Sequence, residues 1–491
     1  MNEAVSESNK TRSRLSGIGF FALIILVLAG GFLLRFTGLG NRPMHTDEAV
    51  NAYQVGKILQ GEAFLYDSKD HHGPLYFALC SALCRLAGSR NLATLTEEEF
   101  RFSALLSSLL GIVFLLPYAR VGGAPSAGFA ALIWMIDPLC VYYGRYAIHE
   151  SLFLSLTLGF LVSILRCRAT QSDFWFCLTG LSAGAMIATK ETALLSFAAA
   201  GVALVFLQWP RVHFPTARRV ALLLLSASLV ILFCFTWGFR NWSGLGEIFT
   251  SGAHAYSRAA GQGHEKPFFY FLRLLLGMNS GGAIVALAFA GGWLSWRRMI
   301  EGESGRFLSV YAPVVFLLYS LIPYKTPWLL LNIWLPTALL AALALSFFWQ
   351  RSHLLGASVM ICLGLLCARD LGTHVFHHAS DESNPFAYAH TSDDIHNLCH
   401  TMERLEKESS RPLRIAVLAD DPWPLPWYLR RYSQVGYWRP GATLPEVDVV
   451  ILDQKEAERL QMESKGWRLS IFGQRPGALL LLYQRSGGAV R

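Results

Sequence analysis

PLYFALCSALCRLAG, residues 74–88, is the stretch on which the fold of this chain turns. It is apolar enough to enter a membrane, but its residues, at 1.5 Å each, extend only about 22 Å, short of a hydrocarbon core about 30 Å thick. Read as a full crossing, it would put every later basic loop outside and scatter the unusual polar motifs to both faces. Read as a helix lying along the interface or re-entering from it, it keeps the basic loops on one side. Arg120, Arg166, Arg168, Arg211, Arg218, Arg219, Arg297, Arg298 and Arg351 then join Lys10, Arg12 and Arg14 in the cytoplasm, as the positive-inside rule requires. Residues 39–101 become one large external loop.

Composition supports the membrane setting. The chain of 491 residues is 53% hydrophobic and 15% charged, far too apolar for a soluble protein of this size. The net charge of +8 could suggest nucleic acid. The basic residues, however, sit in short loops beside apolar runs, so no nucleic-acid partner is expected. Cys80, Cys84, Cys140, Cys167, Cys177, Cys234, Cys362 and Cys367 lie in or beside apolar runs, leaving Cys399 alone in the tail. They offer no disulfide framework and read as small core residues.

The run at about 17–38 is too long for the apolar part of a signal peptide and is read as a retained first helix with its N-terminus inside. Thr96-Glu97-Glu98-Glu99 fits a capping box and starts the second span near residue 100. Further spans are expected at about 124–141, 150–165, 174–189, 191–208, 219–238, 276–296, 308–323, 327–348 and 353–369, about eleven in all. The expected class is a polytopic α-helical membrane protein, residues 1–379, followed by a small extracytoplasmic α/β domain, residues 380–491. Segments 414–419, 448–453 and 478–484 read as its strands, and 392–408 and 454–462 as its amphipathic helices.

The external loops of this scheme carry PMHTDEA (43–49), DHHGP (70–74), YYGRYAIHES (142–151), TKET (189–192) and PYKTPW (323–328). Asp47 and Glu48 have a plain reading as first-turn acids of a helix over about 48–60, capped by Thr46 and ended by Gly61. Beside a membrane surface, such carboxylates can also act as a general base or hold a cation next to a phosphate. His45, His71 and His72 are candidate ligands for a divalent metal, although no tight ligand spacing supports it and ordinary loop histidines explain them as well. Arg145, His149 and Glu150 are too polar to face lipid and mark a cavity or path, unless they only snorkel or cap. Lys190-Glu191, a charged pair between two apolar stretches, is either structural glue or a phosphate grip. Lys325 sits between two prolines that break the helix around one ammonium, which a polar cavity would tolerate. Arg240 opens the long loop of about 239–275.

An external D-E pair after the first span, an R-x-x-x-H-E element after the third and a K-E pair between the fifth and sixth together resemble the GT-C glycosyltransferases. Within them the chain is similar to the protein O-mannosyltransferase and aminoarabinose-transferase lineage. MHTDEA, DHHGPLY, GRYAIHES, TKET and YKTPW, with AYAHTSDD and DDPWPLPWYLR in the tail, look most like its prokaryotic flippase-activity-associated branch. The resemblance implies an integral-membrane hexosyltransferase that takes a sugar from a polyprenyl-phosphate carrier and passes it to a lipid, glycan or protein acceptor outside the cell membrane. It matches Asp47 to the essential acid of the first external loop, with Glu48 beside it, and His149-Glu150 to the second acidic element.

The expected mechanism is inverting, with Asp47 as base, Glu48 and Glu150 as further catalytic acids, and Arg145, His149, Lys190, Glu191, Arg240 and Lys325 binding substrate. No nucleotide site is required, and a divalent metal ion is the one cofactor these residues leave open. The alternative is a non-catalytic flippase or flippase partner that binds the same lipid-linked sugar without breaking a bond. A secondary transporter fits less well, because the polar residues stand at span ends rather than at the midplane.

Overall fold

The computed structural model describes residues 2–208, 215–260, 263–300, 302–462 and 466–485. The chain divides into two compact units. One comprises Met1–Thr37, Ala63–Leu79 and Phe102–His377; the other comprises Gly38–Glu62, Cys80–Arg101 and His378–Arg491.

Helices account for nearly all of the first unit. In chain order the helices up to residue 296 are α1 (Asn2–Phe36), α2 (Thr46–Leu59, of the second unit), α3 (Pro74–Ala87), α4 (Glu97–Gly122), α5 (Ala124–Ile136), α6 (Pro138–Tyr143), α7 (Glu150–Thr170), α8 (Asp173–Ile187), α9 (Ala193–Gln208), α10 (Ala217–Phe235), α11 (Ser243–Ala259), α12 (Tyr270–Gly277) and α13 (Asn279–Trp296). Then come α14 (Ser304–Leu321), α15 (Leu330–Arg351) and α16 (His353–Asp370), which runs on in a π-helical turn to His377.

Among the described residues, seven segments are long and apolar enough to cross a membrane: Gly17–Phe36, α4, α7, α10, α14, Pro327–Arg351 and His353–His377. An eighth crossing results if α12 and α13, bent by 110° at their junction, are taken as one. The fold is therefore a polytopic helical membrane fold. The remaining three of the eleven expected spans, near 124–141, 174–189 and 191–208, are the shorter helices α5, α8 and α9, with 13, 15 and 16 residues. Their shortness has local causes. Asp137 leaves helical geometry at the end of α5 and starts α6, its carboxylate accepting the Cys140 amide at 3.1 Å with Pro138 in the first helical position. The TKET turn separates α8 from α9. The apolar stretch at 74–88 forms α3, whose 14 residues also fall short of a crossing.

Packing within the bundle follows small residues. Gly180 and Gly184 of α8 let α10 approach so closely that a β-carbon on Gly180 would lie 2.1 Å from the Leu223 carbonyl oxygen and one on Gly184 2.6 Å from that of Ala227. This is the small-xxx-small contact by which membrane helices gain dispersion energy. The crossing segment Pro327–Arg351 is 94% buried and forms the middle of the bundle.

In the second unit a five-stranded sheet is ordered β2-β1-β3-β5-β4. Its strands are β1 (Ile415–Leu418), β2 (Val435–Trp438), β3 (Val449–Leu452), β4 (Trp467–Arg475) and β5 (Ala478–Arg485). β1 pairs in parallel with β2 and β3, while β5 pairs antiparallel with β3 and β4. Both faces are buried, so the central strands are unbroken apolar runs rather than alternating ones. On one face, Ile395, Leu398, Met402 and Leu405 of α17 (Ile395–Glu408), with Leu425 of α18 (Leu425–Tyr428), pack over Ile415, Val417, Val449 and Ile451. The other face meets Ala457 of α19 (Gln454–Arg459) and Met462. The strands expected at 414–419, 448–453 and 478–484 are β1, β3 and β5; β2 and β4, at the two edges, were not expected.

Candidate active site

The polar residues of the first unit gather around two turns. In DHHGP and just after it, the amides of Gly73 and Leu75 donate to the carbonyls of Thr189 (3.2 Å) and Ala188 (2.9 Å), fastening this loop to the TKET turn. Position 73 must be glycine, because a β-carbon there would lie 2.2 Å from the Ala188 oxygen. The contact brings His72 to Glu191, with Nδ1 and Oε2 2.9 Å apart. His149 at the start of α7 is buried, its ring centroid 4.6 Å from Tyr76 and 5.2 Å from both Phe77 and His72. Burial pushes its pKa well below the ordinary histidine value, with the nearby His72 and Lys190 acting in the same direction, so the ring is neutral. Its Nε2 has no hydrogen-bond partner among the described residues. His71 packs against Phe64 and Phe77, and burial lowers its pKa as well, although Asp70 and Asp67 oppose the shift.

Lys190 and Glu150 form a buried ion pair in this unit. The pair joins YYGRYAIHES to the TKET turn. Tyr319, not singled out in the sequence, sets a buried hydroxyl beside that of Thr192 in the TKET turn and feels the charge of Glu150. Its apolar neighbours in α14 hid it.

Three expected substrate-binding cations are placed otherwise. The Lys325 ammonium is buried and donates to the carbonyls of Lys266 (3.1 Å) and Ile322 (2.5 Å), so it clasps backbone freed by Pro323 and Pro327. Desolvation lowers its pKa. Arg145 donates to the carbonyls of Leu34 and Thr37 at the end of α1 and lies over the Phe376 ring at 5.1 Å. Arg240 is exposed, just beyond α10.

The second unit holds the DE pair. His45, not Thr46, is the N-cap of α2: its Nδ1 accepts the Asp47 amide at 3.0 Å, while the Glu48 carboxylate accepts the His45 amide at 3.2 Å. Glu48 is fully buried, and its two oxygens each accept a 2.9 Å bond from Arg101, with Arg42 at 3.7 Å. Arg101 spends its remaining donors on the carbonyls of Leu39, Arg42 and Pro43, so it ties down the whole approach to α2. Asp47 is partly exposed, and its carboxylate bonds no described residue. Met44 is held to the sheet domain through Tyr428 (2.8 Å) and Thr391 (2.7 Å).

No group of three or more His, Cys, Asp or Glu side chains among the described residues is arranged to hold a metal. Both nitrogens of His45 are engaged, Nε2 with the Tyr388 carbonyl at 2.9 Å and Nδ1 with Asp47, which leaves no lone pair for an ion. His71 and His72 belong to the other unit.

Residues 71–237 match the family model described as dolichyl-phosphate-mannose-protein mannosyltransferase. Among solved structures, the chain is similar to ArnT from Cupriavidus metallidurans bound to undecaprenyl phosphate, with a TM-score of 0.69 and 15% identity over 94% of this chain and 97% of that one. It is also similar to the oligosaccharyltransferase AglB from Archaeoglobus fulgidus, in complex with an inhibitory peptide and a dolichol-phosphate, with a TM-score of 0.54 and 13% identity over 95% of this chain and 74% of that one. A comparison with curated protein sequences finds no match.

Proposed function

We propose that this chain, whose fold is that of the GT-C membrane glycosyltransferases, moves a sugar from a polyprenyl-phosphate carrier to an acceptor hydroxyl outside the membrane. Undecaprenyl phosphate, the ligand named for the Cupriavidus relative, is what such a donor leaves behind once its sugar has gone. The mannosyltransferase description makes a hexose the first sugar to test.

In this reading Asp47 takes the proton of the acceptor hydroxyl as its oxygen bonds the anomeric carbon. The bond from that carbon to the phosphate oxygen breaks, and its electron pair leaves with the carrier phosphate. A single displacement of this kind inverts the anomeric centre. Lys190 donates to the phosphate and stabilises its developing charge, while Glu150 takes another of the three ammonium donors and holds the group in place. The free Nε2 of neutral His149 is suited to a sugar hydroxyl rather than to charge.

The observation that carries the proposal is the asymmetry of the DE pair. Glu48 is fully committed to Arg101, whereas Asp47 keeps an accessible carboxylate on the first turn of α2. Cells lacking the protein should accumulate the lipid-linked sugar, and the wild-type chain should clear it. Asp47→Asn, made at normal level, should leave it accumulated, since loss of a general base costs about 10²–10⁴-fold in rate. Full clearance by Asp47→Asn would overturn the assignment and favour the non-catalytic carrier-lipid alternative.

A further inference from the structure

Helix α11 has two unlike edges. Along one, Trp242, just before its first turn, is followed by Phe249 and Tyr256 at intervals of seven residues, exposed by 60%, 87% and 82%. At 100° per residue these three fall within about 40° of one another, a single stripe. Along the other edge, Glu247, Thr250 and His254 converge on the buried hydroxyl of Ser68, at 2.9, 3.1 and 2.7 Å. One edge is thus engaged with the buried Ser68 through polar groups, while the other exposes large aromatic rings, which a helix facing water would not do.

The position of α11 says what the aromatic stripe meets. The helix follows the membrane-crossing α10, with Trp237 and Phe239 in the turn between them. Gly244 in its first turn lies against the Phe235 carbonyl at the end of α10, so close that a β-carbon there would be 2.2 Å from the oxygen. The start of α11 is therefore held at the depth where α10 leaves the hydrocarbon, the level at which aromatic side chains collect in membrane proteins. Exposed Arg240 stands at the same turn, suited to lipid phosphate. Beyond α11 the chain is fastened again: the Tyr324 amide reaches the Ala259 carbonyl at 3.5 Å, and the Lys266 and Lys325 amides donate to the Pro323 and His264 carbonyls at 3.1 Å each. Fixed at both ends, the helix cannot turn its aromatic stripe inward without breaking the Ser68 contacts.

We propose that α11 lies in the bilayer surface with its Trp242, Phe249 and Tyr256 edge among phospholipid headgroups and upper acyl chains, and that its polar edge thereby holds the Ser68 loop, just ahead of His72, at that depth. The role is one of an interfacial amphipathic helix, anchored by apolar burial and by its cationic neighbour. It does not depend on sugar transfer.

The test uses the full-length protein in nanodiscs of phosphatidylethanolamine and phosphatidylglycerol, with the photocrosslinker benzoylphenylalanine incorporated in place of Phe249, Tyr256 or, as a control, the exposed His400 of α17. Illumination should give adducts heavier by one phospholipid at 249 and 256, and none above background at 400. Adducts at 249 and 256 no more abundant than at 400, or crosslinks from those positions into the protein's own chain, would overturn the inference. Lipid adducts at 249 and 256 together with no sugar transfer by the wild-type protein would sink the proposed function and leave this inference standing.

Discussion

Asp47 and Glu48 are neighbours with opposite circumstances, and single substitutions should separate them. Glu48→Gln leaves the Arg101 guanidinium buried without its counter-charge, which costs about 3–5 kcal/mol for a buried pair. Its thermal unfolding in detergent should shift to clearly lower temperature, whereas that of Asp47→Asn should stay near the wild type. Equal unfolding temperatures for Glu48→Gln and the wild-type protein would contradict the structural role given to Glu48. The sequence marked the pair as chemically important but could not tell its members apart, because Arg101 lies 53 residues away and read as the ordinary start of a span. An arginine just inside an apolar helix was the available signal. His390 offers a pH test. Burial, with Arg42 and His45 nearby, holds its pKa well below the ordinary value, while Glu48 opposes the shift. The folded state thus binds fewer protons than the unfolded one. Stability is full above about pH 6.5 and falls as the pH drops through that unfolded value toward the lower folded one. Thermal melts between pH 7 and 5 should show a smaller acid loss for His390→Gln than for wild type; identical slopes would rule His390 out as a contributor.

At the level of elements, local chemistry was legible where a cap or an apolar run announces itself. Thr96 and Glu99 form the expected capping box, the Glu99 amide reaching Thr96 Oγ1 at 3.2 Å and the Thr96 amide reaching Glu99 Oε2 at 3.1 Å. Thr96→Ala should cost about 1 kcal/mol, the usual loss for an N-cap, readable as a small drop in unfolding temperature, and Thr96→Ser should restore most of it. No difference between the alanine and serine variants would mean the box is idle. The cap of α2 was misplaced by one residue because Thr46 is the better intrinsic cap, yet His45 supplies the acceptor through its ring nitrogen. β1 and β3 were readable as buried runs, whereas edge strand β2 is only VGYW, with a glycine and an exposed tyrosine. The pairing of Glu150 with Lys190 and of His72 with Glu191 depends on how separate helices pack, which no local pattern encodes.

For the whole molecule, class and fold were legible from composition and motif order, while the number of full crossings was not. Hydropathy does not record where a helix stops, and Asp137-Pro138 and the TKET turn cut apolar runs into pieces shorter than a bilayer. The basic loops set the expected sidedness. Reporter fusions after residues 70, 145, 255 and 400 should read external, and those after 168, 215 and 300 cytoplasmic; opposite readings at 70 and 145 would break the proposed arrangement. The central claim, that a sugar leaves a lipid carrier here, is tested most directly with the purified protein in proteoliposomes supplied with polyprenyl-phosphate hexose and an extract of candidate acceptors. The measured quantity is the free polyprenyl phosphate released. Wild-type protein should release it with transfer of the hexose, and Asp47→Asn should bind the donor equally but release it about 10²–10⁴-fold more slowly. Donor binding by the wild type with no release above that of Asp47→Asn would contradict the account.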